Sequence, residues 1–462
     1  MSPLSNLAVR DIETVLHPYT NLATHRETGP LTLERAEGVR VYDANGKGYI
    51  EGMAGLWCTS LGYGNEELIE AAAEQMRKLS FSHIFGGKSH DPGIALAEKL
   101  KEISPVPVSK VFFVGSGSEA NDTQVKFVWY VNNALGRPQK KKIISRLRGY
   151  HGVTIASASL TGLPANHTDF DLPIANILHT ACPHYYRECV AGESEEDFAT
   201  RMAGELEEMI LREGPDTVAA FIAEPVMGAG GVIVPPATYF AKIQAVLDKY
   251  DVMMIADEVI CGFGRTGEMF GTQTFGMKPD SISVAKALSS AYQPIGAVMI
   301  SEEMYQAMVE ESRKIGTFGH GFTYSGHPVS CAVALKTLEI YERDDIIGHV
   351  RAVSPAFTSR LAALGDHPLV GQARGIGLIG GLELVADKGQ RRSFPASLGL
   401  AAKCAALALD EGLMIRALGG DVLALCPPLV INEDEIGQMF DAVERTLERA
   451  EAWVAKDGLR NA

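Results

Sequence analysis

The sequence predicts an α/β fold: a large domain built on a mostly parallel central sheet with helices outside, followed by a smaller α+β lobe. Three observations carry this expectation. Runs of Val, Ile, Met and Phe recur at 111–114, 142–147, 218–222, 252–256, 281–285 and 297–301, with helical stretches between several of them. These runs are near-continuous rather than alternating, which is the pattern of strands buried on both faces of a parallel sheet. After about residue 330 the character shifts to longer helices at 332–343, 400–411 and 433–456, with short strands such as 378–384 between them.

Residues 1–60 read as irregular, with a hairpin signal at Asp43-Ala-Asn-Gly-Lys47 between short strand-like pieces. The stretch GMAGLWC at 52–58 mixes small residues with one aromatic, as a packed loop does. Leu68, Ile69, Ala72, Met76 and Leu79 then recur at helical spacing behind Asn65 as N-cap. Asp91-Pro92 opens a further helix, with proline at its first position. Between the apolar runs the clearest helix is 238–250. The expected division is 1–60 as a segment joining the small lobe, 61–330 as the large domain and 331–462 as the small domain. No internal repeat or low-complexity segment interrupts it.

Composition narrows the function classes. The chain has 462 residues, 46% hydrophobic and 21% charged, as an ordinary globular protein does. A net charge of −15 speaks against nucleic acid as a partner, and the short run Lys140–Lys142 reads as a solvated turn. Cys58, Cys182, Cys189, Cys261, Cys331, Cys404 and Cys426 are scattered without a Cys-x-x-Cys pair. That pattern fits reduced thiols in a cytoplasm, and no metal is expected. Asp11 and Glu13 stand where a signal peptide would be apolar, and Glu224 and Glu383 break the longest apolar stretches, so no membrane span is expected.

Chemistry concentrates at 252–290. The apolar run at 252–256 leads into Asp257 and Glu258, and the run at 281–285 ends on Lys286. Charged groups at the ends of buried strands are costly unless they meet a partner. In an open parallel sheet that edge is also where ligands bind. Pyridoxal phosphate uses this pair directly: a lysine holds its aldehyde as a Schiff base, and a carboxylate keeps its ring nitrogen protonated. GSGSEAND at 115–122 lies between a strand and a helix, which makes a phosphate cup. A turn capped by Ser and Glu119 explains it equally well. Tyr150, in Arg-Gly-Tyr-His151-Gly, could stack on a flat ring or simply pack, and Glu224 could face a ligand or cap a loop N–H. Five strand ends thus present Ser/Gly, Tyr, Glu, Asp and Lys in turn, a coincidence that random surface chemistry would not produce. The glycine patterns GSGSEA, GFGRTG and GIGLIG also approach a dinucleotide fingerprint, a weak signal by itself.

Together GSGSEAND, RGYHG, IAEPVMGAGGVIVPP, IADEVICGFGRTG, AKALSS and HGFTYSGHP resemble a class III aminotransferase of pyridoxal-phosphate fold type I, and more narrowly the ω-transaminases. The resemblance runs from about His17 to the C-terminal helix and implies a small lobe made from both termini. It implies Lys286 as the Schiff-base lysine and Asp257 as the ring-nitrogen partner. Tyr150 and Val259 would sandwich the ring, with His151 and Glu224 beside it and Gly117 and Ser118 in the phosphate cup. Phe322 and Thr323 would reach the phosphate of a second subunit, so a homodimer with composite sites is implied. Tyr19, Trp57, Phe85, Tyr150 and Ala229 would wall the substrate pocket, and Arg416 would receive carboxylates.

The activity implied is a ping-pong transfer of an amino group from a primary amine or ω-amino acid to a keto acid, with pyruvate the expected acceptor. Lys286 would shuttle the proton at the substrate carbon. A pyridoxal-phosphate aminomutase or racemase would share the same residues. An NAD(P)-dependent oxidoreductase is the distant alternative, resting on the glycine patterns.

Overall fold

The computed structural model describes residues 5–461. Its centre is a seven-stranded sheet of β1 (Lys110–Val114), β2 (Lys142–Arg146), β3 (Ile177–Thr180), β4 (Val218–Ala223), β5 (Met253–Asp257), β6 (Ser281–Val284) and β7 (Gly296–Ile300). The spatial order is β1-β7-β6-β5-β4-β2-β3. Only β7 runs against its neighbours; the other pairings are parallel, so six strands end at one edge. All of β4 is buried, which accounts for its unbroken run VAAFIA: neither face meets water, so no position favours a polar residue. β3 is the strand the sequence reading lacks. Its four residues, ILHT, sit at the sheet margin with two half-exposed positions, too short and too polar for the apolar-run signal.

The helix α1 (Gly117–Ala134) follows β1 and sends the chain across the sheet. Its Gln124 donates from Nε2 to Ser283 Oγ at 3.1 Å and accepts from Ser281 Oγ at 2.8 Å, so α1 lies over β6 rather than beside β1 alone. This crossing carries the first turn of α1 to the middle of the sheet's C-terminal edge.

Two smaller sheets flank the centre. Strands Leu33–Glu37, Arg40–Asp43 and Gly48–Glu51 form an antiparallel meander, and Leu413–Met414 adds to it in parallel beside Gly48–Glu51. In its hairpin Asp43 Oδ1 accepts from the Asn45 and Lys47 N–H groups, both at 2.9 Å, and Tyr49 OH donates to Oδ2 at 2.8 Å. The other sheet orders Val370–Ile376, Ile379–Leu384, Val422–Leu425 and Arg416–Leu418. The pattern GIGLIG is the tight turn of its first hairpin: Gly375 faces Gly380, and Gly377 takes φ 58°. A Cβ on Gly377 would meet Arg265 O at 2.4 Å, so glycine serves close backbone approach here and opens no nucleotide-binding helix. Among the described residues no helix is long and apolar enough to cross a membrane.

The adjacent acids ending β5 part company. Asp257 faces the sheet edge, whereas Glu258 is fully buried and accepts from the Gly271 and Thr272 N–H groups, pinning the next short helix. Burial pushes the Glu258 carboxyl up to about 7. The folded chain therefore holds this proton between its ordinary pKa and about 7, and stability from the group falls as pH rises through that window. Glu258→Gln has no proton to lose. Its stability relative to wild type should rise between pH 5 and pH 8, by an amount on the order of 1–3 kcal/mol, read as a rise in relative thermal midpoint. A difference that is flat with pH in thermal unfolding would contradict this.

Candidate active site

Where the six strands end, a cavity of about 740 Å³ opens between the central sheet and the C-terminal lobe. Asp257 lies at its base, nearly fully buried. Oδ2 accepts from His151 Nδ1 and from Asn121 Nδ2, both at 2.7 Å, and Oδ1 accepts from the Val259 N–H at 3.1 Å. His151 stands on the loop after β2 and Asn121 on the first turns of α1, so three crossovers converge on one carboxylate. Asn121 also donates to His151 O at 2.8 Å, which locks the two donors to each other.

Lys286 begins the turn after β6 with φ 50°, a left-handed conformation that aims its side chain into the cavity. Among the described residues Nζ has no hydrogen-bond or ion-pair partner; its nearest aromatic neighbour is the Trp57 ring, 5.7 Å from Nζ to centroid. Burial lowers the pKa of this amine, against the opposing pull of Asp257, Cys58 and Glu224. A larger share of Lys286 is therefore uncharged and nucleophilic at neutral pH than of an ordinary lysine.

The 115–122 turn is capped as its Ser and Glu allow. Ser116 Oγ accepts from the Glu119 N–H at 3.2 Å and Glu119 Oε2 accepts from the Gly115 N–H at 2.6 Å, a reciprocal cap. Gly117 and Ser118 meanwhile line the cavity at the helix start. A Cβ on Gly117 would sit 2.9 Å from Val259 Cγ1, so only glycine lets the turn approach Val259 this closely. Ser118 Oγ accepts from the Val153 N–H at 3.1 Å and ties the turn to the loop bearing Tyr150 and His151. Glu224 also lines the cavity, but both its oxygens serve backbone: Oε1 accepts from Tyr150 N–H and Oε2 from Gly228 N–H, each at 3.0 Å. It acts as the brace for Tyr150.

Tyr19, Trp57, Tyr150, Ala229 and Arg416 all line the cavity. Arg416 is half-buried, with its guanidinium carbon 5.0 Å from the Trp57 ring centroid. Among the described residues it has no carboxylate partner, and burial lowers its pKa. Phe85, Phe322 and Thr323 do not line the cavity of their own chain. Phe85 lies beside Gly321 instead, where an added Cβ would touch its ring at 2.8 Å, and Thr323 is exposed. Sequence reasoning missed Asn121 and Asn166. Asn121 stands inside the quoted GSGSEAND motif, one helical turn past Gly117, which is the signal that could have found it. Asn166, whose Nδ2 donates to Tyr19 OH at 2.6 Å, carries no such signal.

These side chains fit pyridoxal phosphate. The cavity holds a carboxylate fixed at its base, an amine without a partner among the described residues, and an 18-residue helix whose N-terminal turn is open beside Gly117 and Ser118. Among the described residues His151 Nε2 and Asn121 Oδ1 are buried there without a partner, as a site shaped for a further polar group leaves them. Tyr150 and Val259 stand on the walls between which a flat ring would lie.

The family model for aminotransferase class-III matches residues 22–447. The chain is 51% identical over 438 residues to a gamma aminobutyrate transaminase 3, chloroplastic, of Solanum lycopersicum, covering 95% of this chain and 84% of that one. It is 51% identical over 440 residues to a gamma-aminobutyrate transaminase 1, mitochondrial, of Oryza sativa subsp. japonica, covering 94% and 85%. Among solved structures, the omega transaminase from Pseudomonas jessenii in complex with PMP superimposes with a TM-score of 0.96 at 55% identity, covering 98% of this chain and 99% of that one.

Asp257→Asn keeps the shape of the cavity base and removes its charge. Catalytic electrostatic contributions of this kind are typically several kcal/mol, so turnover should fall by about 10²-fold or more while the thermal midpoint moves little. Steady-state rates beside a melting curve check this, and near-normal turnover would remove Asp257 from the chemistry.

Proposed function

Because the chain belongs to the class III aminotransferases, enzymes that use pyridoxal phosphate, we propose that it moves the amino group of an ω-amino acid or other primary amine to a small keto acid, with pyruvate the expected acceptor. When bound, pyridoxal phosphate supplies an aldehyde that exchanges amines and a ring that accepts the electron pair released at the substrate carbon. Lys286 is the amine that would hold that aldehyde, and its lowered pKa would suit it, once free, to take the proton from the donor's carbon and to return one on the other side of the reaction. Asp257, held by His151 and Asn121, would keep the ring nitrogen protonated. Gly117 and Ser118 would receive the phosphate at the start of α1, while Tyr150 and Val259 would fix the plane of the ring. A base placed for proton return to the same molecule would equally serve an aminomutase or racemase; the relatives' names as transaminases favour net transfer.

The observation that carries the substrate reading is Arg416. A cavity-facing guanidinium without a carboxylate partner is costly, and a substrate carboxylate would relieve that cost. The acceptor's carboxylate, and that of an ω-amino acid such as γ-aminobutyrate, would both use it. The donor amine at the opposite end would then reach Lys286 past Trp57. Gly419 and Gly420 follow the strand that bears Arg416, and Gly420 takes φ 82°, so the backbone there tolerates adjustment when a substrate lacks a carboxylate.

The active unit is proposed to be a homodimer. Phe81, Phe85 and Tyr324 form an exposed aromatic patch beside Thr323, with Phe81 and Tyr324 ring centroids 5.9 Å apart. A second copy covering this patch would bring Phe85, Phe322 and Thr323 to the partner's cavity. The free cysteines support a reducing compartment, taken here as the cytoplasm.

A donor screen with pyruvate, read as alanine formed, tests the transfer; absence of alanine with every ω-amino acid and amine would overturn it. Arg416→Ala should slow the pyruvate half-reaction by about 10- to 150-fold, the equivalent of one charge-assisted hydrogen bond. Single-turnover spectra should show the half-reaction of a carboxylate-free amine little changed. Equal damage to both halves would place carboxylate recognition elsewhere. For the dimer, mixing Lys286→Ala chains with Thr323→Ala chains should change activity only after subunits exchange, and full activity in a monomer would exclude composite sites.

A further inference from the structure

A second set of chemically capable side chains lies outside the cavity, in the N-terminal segment. The helix Asn6–Thr14 presents Asp11, the following turn presents His17, and the helix Leu22–Thr28 presents His25. His17 Nε2 lies 2.8 Å from Asp11 Oδ1 and 3.1 Å from Oδ2, and His25 Nε2 lies 3.1 Å from Oδ1. One donor atom from each of the three is within 4.8 Å of the others, and the imidazole centroids are 4.3 Å apart. The cluster borders a depression of about 410 Å³ walled by His17, Thr20, Asn21, Thr24 and His25.

We propose that Asp11, His17 and His25 form a binding site for a divalent transition metal of the zinc type, completed by solvent from that depression. Two imidazole nitrogens and one carboxylate oxygen are the donor set of three-ligand zinc sites with an open position. Bonds of about 2.0–2.1 Å in tetrahedral geometry place ligand atoms roughly 3.3 Å apart. The present separations of 2.8 and 3.1 Å need widen by only a few tenths of an ångström. No thiolate takes part, so the site suits zinc, nickel or copper(II) better than copper(I). Among the described residues neither imidazole Nδ1 has a protein hydrogen-bond partner, so solvent forms the second shell and the metal would exchange readily.

The site bears on the cavity through Tyr19. Asp11 and His17 lie before this residue and His25 after it, so a bound ion would tie together the two helices that flank the Tyr19 turn. Tyr19 takes φ 49°, accepts from Asn166 Nδ2 at 2.6 Å and shares the cavity lining with Tyr150. Metal occupancy would thus hold one wall of the pocket in place. The metal site stands without the substrate reading; only the effect through Tyr19 rests on it.

Zinc ion titrated calorimetrically into chelator-treated holoenzyme should bind at one equivalent per chain. His25→Gln should weaken that binding by about 100-fold or more, and His17→Gln likewise, with cofactor absorbance showing that each variant is folded. Zinc should also slow tryptic cleavage at Arg10 and Arg26, which are exposed, in wild type and not in His25→Gln. Absence of saturable binding at millimolar zinc, or equal affinity in wild type and in the variant lacking all three ligands, would overturn the site. Binding without protection of Arg10 and Arg26 would overturn the clamp on the Tyr19 turn.

Discussion

A buried carboxylate at the end of a buried strand is the constraint on which this structure turns. Removing Asp257 from water costs several kcal/mol unless donors replace the lost hydration. The chain supplies them from two distant places, Asn121 on α1 and His151 after β2, and each reaches Oδ2 at 2.7 Å. To deliver Asn121, α1 must cross the sheet from its outer strand to its middle, which it does by bonding Gln124 to serines of β6. That crossing also carries Gly117 and Ser118 to the cavity. The glycine-serine turn at the cavity and the braced carboxylate at its base are consequences of one helix path.

The three acids at this edge show how surroundings divide labour among like residues. Glu224 and Glu258 both give their oxygens to backbone N–H groups and hold loops in place. Their pKa values are raised by burial, so each is a structural group whose charge the fold disfavours. Of the three, Asp257 is the one that meets an imidazole and a side-chain amide, at the base of the cavity. The same logic sets Lys286 and Arg416 apart from the ion-paired cations elsewhere. Arg374, buried in the C-terminal lobe, is matched by Glu383 at 2.7 Å and by the Gly231 and Val232 carbonyls, whereas among the described residues Lys286 and Arg416 have no carboxylate in ion-pair contact.

Much of the large domain was legible because its strands are short, apolar and bounded by helices. Helix 433–456 and the N-cap Asn65 appear where periodicity and capping residues place them. The glycine patterns at 262 and 375 illustrate the opposite case. The motif is the same, but one is a loop folded onto Glu258 and the other a hairpin, and only pairing partners far along the chain distinguish them. The helix Ile346–Ala363 was hidden by Pro355 within it, a residue whose local preference is to end helices and which tertiary packing overrides here.

Local chemistry was enough to single out Lys286 and Asp257, since a charged residue closing an apolar run is costly wherever that run is buried. It was enough also for the capped turn at 115–122, because strand, glycine and cap are neighbours in the chain. Which groups hold Asp257, which acid faces the cavity, and which wall residues share one chain's pocket were decided by tertiary contacts. Asn121 and Asp257 are 136 residues apart, and no periodicity reports on a hydrogen bond of that span. Phe85 makes the point in reverse: its composition as an exposed aromatic suits a pocket wall, yet the fold turns it away from its own cavity, since the backbone path between 79 and 91 leaves it beside Gly321. Residue type announces capability through local energetics, and only the closure of distant chain segments determines what each capable group meets.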